Sequence, residues 1–290
     1  MLLQTDSLTK RYGSFTALDS LTLSVAPGEV VGLLGPNGSG KTTALRTLMG
    51  FLRPSSGTAR ISGHDCWADS VAARAHVAYL PAELRLYDNM TGRQLIRFLC
   101  DLRGASVDEA VFSLARSFDI DIDRPIAHLS SGMKRKVALL QVLAPRAPLL
   151  LMDEPTNALD PTMRDILLEQ VGHARGRGQA VLFSSHVLAE VEKACDRVVM
   201  LRAGKLVHDQ KMAELQAGRL VQVRFEGEAP DIPAIGGLRL RERLPGRLVL
   251  EFVGALPALM SWLAGQDVAE LRIEPLGLNS IYYRHHGNVE

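Results

Sequence analysis

The stretch Gly35-Pro36-Asn37-Gly38-Ser39-Gly40-Lys41-Thr42 constrains this chain more than any other. It matches G-x-x-x-x-G-K-[ST] in full, behind the apolar run Val30-Val31-Gly32-Leu33-Leu34 and ahead of a helix predicted over Lys41 to Met49. A buried strand, a glycine-rich turn and a helix start, in that order, form a cradle for a chain of phosphates. The glycines let successive backbone N–H groups turn inward. The helix N-terminus adds partial positive charge. Lys41 is expected at the β- and γ-phosphates, with Thr43 among the nucleotide contacts, and the Thr42 hydroxyl at a Mg²⁺ ion.

The same βα grammar recurs downstream. Leu149 to Met152 and Ala180 to Phe183 read as buried strands, each followed by helical sequence. That predicts a parallel sheet with crossover helices. Thr22-Leu23-Ser24-Val25, ahead of Pro27-Gly28, predicts antiparallel strands at an edge. Residues 88–145 read as largely helical: Thr91-Gly92-Arg93-Gln94 has the form of a capping box, and Leu95, Ile96, Leu99 and Leu102 share one helical face. After residue 218 the period changes. Val221, Val223 and Phe225 alternate with Gln222, Arg224 and Glu226, Leu248, Leu250 and Phe252 repeat the pattern, and Ala255 to Leu263 reads as a helix. A chain of 290 residues has room for about two domains. The expected organisation is an α/β phosphate-loop domain over 1–217, with an antiparallel β subdomain and a helical subdomain at about 88–145, and a small α+β module over 218–290.

The apolar strand ending in Asp153-Glu154 supplies the second half of a site. Strand ends of such sheets face the bound phosphates. Asp153 is expected to hold Mg²⁺ through water, and Glu154 to act as general base on the attacking water.

Charge and cysteine content narrow the functional classes. The net charge is +1, and the densest basic patch, Lys134-Arg135-Lys136, is too short for a nucleic-acid stripe, so no nucleic-acid partner is expected. Cys66, Cys100 and Cys195 fit no metal spacing and read as buried thiols in a reducing compartment. No apolar run reaches the ~18 residues of a spanning helix, and the N-terminus lacks the pattern of a signal peptide. A soluble chain is expected, with any membrane role exercised through a partner. One Gly-Lys-Thr means one nucleotide-binding core.

Leu129-Ser130-Ser131-Gly132-Met133-Lys134 resembles the L-S-G-G-Q signature of ABC ATPases, and Gly132 lies 21 residues ahead of Asp153. Asn157-Ala158-Leu159-Asp160 resembles that family's D-loop. Ser184-Ser185-His186 resembles its switch histidine, and Tyr12-Gly13 its aromatic A-loop. On these motifs, spanning roughly residues 2–210 in the family's order, the chain is identified as resembling the exporter-type ATP-binding subunits. Leu80-Pro81 followed by Leu86-Tyr87-Asp88-Asn89-Met90-Thr91-Gly92 is similar to that branch, and residues 218–290 to its C-terminal extension. The resemblance implies ATP and Mg²⁺ as ligands and a head-to-tail dimer in which Ser130 and the Gly132 N–H cap the partner's γ-phosphate. It further implies that His186 orients the attacking water beside Glu154, that Asp160 lies at the dimer seam, and that Tyr12 stacks on adenine. An integral-membrane permease is the implied partner, at the cytoplasmic face of the membrane. The alternative is a soluble, non-transport ABC ATPase acting on ribosomes or DNA, but the paired cores, coiled coils and zinc hooks of those members are not in this sequence.

The sequence departs from the family in three places. Ala82 stands where the Q-loop glutamine is expected, with Glu83 one position on as a substitute metal ligand. Ser131 replaces the first signature glycine, which penalises it if that position needs φ > 0. Met133 replaces the signature glutamine, as in related exporter subunits. The tail Glu274 to Tyr283 resembles that of extended exporter subunits and points to a dimer or regulatory role; Tyr282, Tyr283, His285 and His286 read as a packed last helix with a frayed polar end.

Overall fold

The computed structural model describes residues 1–104, 106–107, 109–279 and 281–282; Tyr283, His285 and His286 lie outside them. Contacts divide the chain into two units, Met1–Asp209 and Gln210–Glu290.

The first unit opens with β1 (Leu3–Tyr12) and β2 (Phe15–Val25), a long antiparallel hairpin, followed by β3 (Val30–Leu34) and α1 (Lys41–Leu48). Next come β4 (Ser56–Ile61), β5 (His64–Asp65), α2 (Ser70–Ala75), β6 (Val77–Leu80) and the helices α3 (Gly92–Leu102), α4 (Ala110–Ser117) and α5 (Ser131–Leu143). The unit continues through β7 (Leu149–Asp153), α6 (Pro161–Gly176), β8 (Ala180–Ser185), α7 (Leu188–Ala194) and β9 (Arg197–Arg202), and β10 (Lys205–Lys211) closes it.

Two sheets result. The first is antiparallel, in the order β2-β1-β4-β5; the second runs β10-β9-β3-β8-β7-β6. From β9 to β6 every pairing in the second sheet is parallel. Helices on the faces of a parallel sheet leave no solvent side, which is why β3, β7 and β8 are apolar without alternation up to Asp153 and Ser184, and buried at every residue. One core joins the two sheets: Leu3, Leu21, Leu23 and Ile61 of the first meet Leu33, Leu149, Leu151 and Leu182 of the second, with Leu45 and Leu48 of α1.

Strand order decides where the site falls. β7, β8 and β3 are neighbours, and their C-terminal ends are level: Asp153 pairs with Ser184, and Ser185 with Leu34. The phosphate loop, the Asp153-Glu154 pair and the Ser184-Ser185-His186 segment therefore leave the sheet side by side, the usual place for a ligand in such sheets. β6 adds Pro81 to the same edge, since Leu80 pairs with Met152.

The helical segment holds one correction. Leu95 and Ile96 are buried as expected, but Leu102, the last residue of α3, is 68% exposed, and Cys100 takes a place in the core instead. The capping box forms in full: the Thr91 hydroxyl accepts from the Gln94 N–H, and the Gln94 side chain accepts from the Thr91 N–H. α5 begins at Ser131, where Ser130 supplies the cap.

The second unit contains α8 (Met212–Ala217), β11 (Gly218–Phe225), β12 (Leu238–Leu244), β13 (Arg247–Val253), α9 (Leu256–Leu263) and β14 (Val268–Pro275). Its antiparallel sheet runs β12-β13-β11-β14. The alternating set Val221, Val223, Phe225, Leu248, Leu250 and Phe252 packs with Leu259 and Leu263 of α9 into a separate core. The division after Asp209 precedes the boundary read at residue 217, because buried Met212 and Leu215 put α8 in this unit.

Candidate active site

The loop between β3 and α1 is held by two close approaches that only glycine permits. Gly35 has φ +158, and a Cβ there would lie 2.4 Å from Ser39 Oγ and 2.5 Å from the Leu201 carbonyl. Gly40 caps α1 at φ +108, and its Cβ would stand 2.6 Å from the Ala17 carbonyl of β2. Tight backbone packing on both sides closes the loop into the cradle that the motif predicts.

Lys41, the first residue of α1, is buried, and its ammonium is drawn into the loop. Nζ donates to the Gly35 carbonyl at 2.6 Å and the Pro36 carbonyl at 3.2 Å, and lies 3.6 Å from Glu154 Oε1. Burial lowers its pKa from the ordinary 10.5, and the attraction of Glu154 and Asp153 only partly offsets this.

Asp153 ends β7 with no exposed surface. Its Oδ1 accepts from Ser184 Oγ at 2.7 Å, while Oδ2 is buried with no hydrogen-bond partner among the described residues, as is Ser39 Oγ in the facing loop. A buried carboxylate oxygen without a partner is expensive unless something else satisfies it. Hard oxygen donors from Asp153 and half-buried Thr42 on one sheet edge fit a magnesium ion.

Glu154 turns the chain sharply, at φ +49, a region that non-glycine residues enter rarely and at a cost. Its N–H donates to Ser184 Oγ at 2.8 Å, and its carbonyl accepts from Arg135 Nη2. The turn carries the carboxylate back over the loop. Oε1 faces Lys41, and Oε2 accepts from His186 Nδ1 at 2.6 Å, which assigns the Nδ1 proton to that bond. His186 is 49% exposed at the mouth of the site.

Thus the structure brings Lys41, Asp153, Glu154 and His186 into one cluster on the phosphate loop. It leaves five expected residues outside that cluster. Tyr12 is 47% exposed at the hairpin tip, with the Lys10 ammonium 5.0 Å from its ring centroid. Ser130 is exposed and caps α5, its Oγ accepting from the Met133 N–H. Gly132 lies near the Ala158 carbonyl, and Asp160 caps α6 through the Met163 N–H at 3.0 Å. Glu83 is also outside: it is exposed and makes no side-chain hydrogen bond or ion pair among the described residues. Ser131 opens α5 without a positive φ, so the feared penalty for replacing glycine does not arise.

Three structural contributors were not anticipated. Ser184 bridges Asp153 and the Glu154 N–H. Buried Glu190 accepts from Thr156 Oγ1 at 2.9 Å and Ser185 Oγ at 2.8 Å, tying the segment after Glu154 to the one before His186. Arg135, read as part of a surface patch, is 3% exposed. The signal was present: Arg135, Ala138, Leu139 and Val142 follow the i, i+3, i+4, i+7 spacing of a core-facing stripe.

A family model described as ABC transporter matches residues 18–157. The Nod factor export ATP-binding protein I of Paraburkholderia xenovorans is 34% identical over 79% of this chain and 77% of its own length. The daunorubicin resistance ATP-binding protein DrrA3 of Streptomyces coeruleorubidus is 36% identical over 73% of this chain and 69% of its own. A solved ATP-binding subunit of an ABC transporter superposes with a TM-score of 0.69 at 30% identity, over 74% of this chain and 92% of that one. A dimeric ATP-binding cassette in a post-hydrolysis state, bound to ADP and Pi, gives a TM-score of 0.65 over 72% of this chain and 98% of that one; at 21% identity it is a likeness of fold.

Proposed function

The chain belongs to the ABC transporter family of ATP-binding proteins, and from that premise we propose that it hydrolyses ATP to drive an exporter whose membrane-spanning part is a separate permease. The observation that carries the chemistry is the contact of 2.6 Å between His186 Nδ1 and Glu154 Oε2 beside Lys41.

The β- and γ-phosphates of ATP lie along the loop Gly35 to Thr43. Their oxygens take the Lys41 ammonium from the Gly35 and Pro36 carbonyls, exchanging neutral acceptors for charged ones. Thr42 and Asp153 would hold Mg²⁺, which when bound neutralises charge on the β- and γ-oxygens. Glu154 accepts the proton of the attacking water. His186, held by the same carboxylate, orients that water and the γ-phosphate.

Ser130 is exposed and Gly132 half-buried, and neither hydrogen-bonds to its own chain's cluster among the described residues, which supports a second copy of the chain as the partner whose γ-phosphate they cap; a closed two-fold arrangement then makes two equal sites. Asp160 lies at that seam, and Tyr12 stacks on adenine. Among the described residues no helix is long and apolar enough to cross a membrane. Docking on a permease at the cytoplasmic face is the arrangement that fits the relatives' export roles. Residues 218–290 are proposed to serve dimer contact or regulation.

Two experiments test the proposal. Glu154→Gln should lower ATP turnover by ~10²-fold or more with nucleotide binding retained; unchanged turnover would remove Glu154 from its role. Purification of the tagged chain from gently solubilised membranes should bring a polytopic membrane protein in stoichiometric amount. Recovery only from the soluble fraction, with ribosomes or DNA, would favour the non-transport alternative.

A further inference from the structure

We infer that Arg135 is a positioning residue for hydrolysis: it fixes the backbone that carries Glu154 to the Pro81–Ala82 segment, and both to the helix that opens at Ser130. The inference rests on the reading of Glu154 as general base.

A guanidinium on the core stripe of α5 gives up its hydration, and such burial is tolerated only with full hydrogen bonding. Arg135 finds its partners in backbone carbonyls from two separate stretches of chain. Nη1 donates to Pro81 at 2.9 Å and Ala82 at 3.2 Å. Nη2 donates to Asp153 at 3.1 Å and, more closely, to Glu154, while Nε donates to Pro155 at 3.4 Å. The planar fork sets these acceptors in fixed relation to one another, which a flexible ammonium cannot do.

Two features make this more than a structural staple. Glu154 occupies a strained φ of +49, so its orientation depends on what holds it from outside: Ser184 holds its N–H, and Arg135 its carbonyl. Ala82 has no polar side-chain atom, so its backbone is the only hydrogen-bonding handle that residue offers. Arg135 stands five residues, about one and a half helical turns, after Ser130, the residue proposed to meet the partner's nucleotide. A displacement of the start of α5 is therefore passed directly to the peptide that aims Glu154 and to the chain leaving β6.

The test uses the full chain with Arg135→Met and Arg135→Lys, and Glu154→Gln as reference. Three quantities are read: steady-state ATP turnover against ATP concentration, affinity for a fluorescent methylanthraniloyl-ATP with magnesium, and the melting temperature. In Arg135→Met, kcat should fall about 10- to 100-fold while KM and analogue affinity stay within about threefold; Arg135→Lys, which restores charge and some of the carbonyl bonds, should recover part of the kcat. Turnover within twofold of the parent in a folded Arg135→Met chain overturns the inference. So does a joint loss of kcat, affinity and melting temperature in both variants, which marks a purely structural role. If Arg135→Met does not fold, Arg135→Lys decides: parental kcat overturns the inference, and a kcat lowered about 3- to 10-fold at parental melting temperature upholds it. An active Glu154→Gln chain would sink the general-base reading itself, whereas an inactive one beside a fully active Arg135→Met sinks only the role of Arg135.

Discussion

Ser184→Ala should be among the most damaging single-atom deletions in this chain. Ser184 and Asp153 are both fully buried, so water cannot replace what the hydroxyl provides. Two bonds vanish together: the donation to Asp153 Oδ1 at 2.7 Å and the acceptance from the Glu154 N–H at 2.8 Å. A hydrogen bond to a charged group contributes about 1.5–3 kcal/mol and a neutral one about 1 kcal/mol, so the loss is about 3 kcal/mol. Asp153 Oδ2 already lacks a partner, so the substitution leaves the whole carboxylate without a hydrogen bond. At about 2–4 °C per kcal/mol for a domain of this size, the melting temperature should fall by roughly 6–12 °C without nucleotide. The assay is thermal unfolding followed by circular dichroism, with Ser113→Ala, on the exposed side of α4, as control. A double-mutant cycle with Asp153→Asn isolates the pair and should return a coupling of about 1–2 kcal/mol. A fall of less than 2 °C, or strict additivity in the cycle, would refute the claim that this bridge holds the strand end.

Three other outcomes follow from particular contacts. Gly40→Ala places a Cβ 2.6 Å from the Ala17 carbonyl at φ +108, which should cost about 2–4 kcal/mol and weaken ATP affinity; calorimetric unfolding and nucleotide titration read both. Burial lowers the pKa of Lys41 below its unfolded 10.5, so the charged ammonium is a net penalty on the folded state. That penalty is full below the folded pKa and fades as pH rises from there to 10.5. Lys41→Met should therefore match or exceed the parent in nucleotide-free melting temperature at pH 7, lose that advantage at alkaline pH, and show no ATP-dependent stabilisation. Burial pushes the Cys66 thiol up to about 12 and Cys195 well above its usual value. All three cysteines should resist iodoacetamide at pH 8 in the native chain and react only after denaturation, as read by mass spectrometry.

The parts of the site legible in sequence are those where residue type leaves one geometric choice. The spacing of Gly35, Gly40 and Lys41 admits a phosphate loop and little else, and a run such as Leu149 to Met152 ending in Asp153 can only be a strand that stops at the sheet edge. The alternation of Val221, Val223 and Phe225 revealed the second core just as directly. What escaped depends on tertiary neighbours. Ser184 is an ordinary strand residue until β8 pairs with β7 and sets it opposite Asp153. Lys134 and Lys136 disguised Arg135, since three consecutive cations read as surface although only the middle one faces inward. Glu83 looked like a ligand because it adjoins the expected position, but the chain bends at Ala82 and Glu83 and leaves the Glu83 side chain exposed. Ser131 looked strained because its backbone conformation is set by the Ser130 cap, which residue identity alone does not reveal.

The sheet order has a consequence for the biogenesis of this protein. β3, which feeds the phosphate loop, lies between β8 and β9, and its residues Val30 and Val31 pair with Val181 and Arg197. Gly35 at its end rests against the Leu201 carbonyl. On the ribosome, the glycine-rich segment therefore emerges long before either neighbour that shapes it. At about 5–20 residues per second, the ~150 residues between them take roughly 8–30 s to make. Until then Val30 to Leu34 is a bare apolar strand with two open edges, a span in which a nascent chain most needs a chaperone.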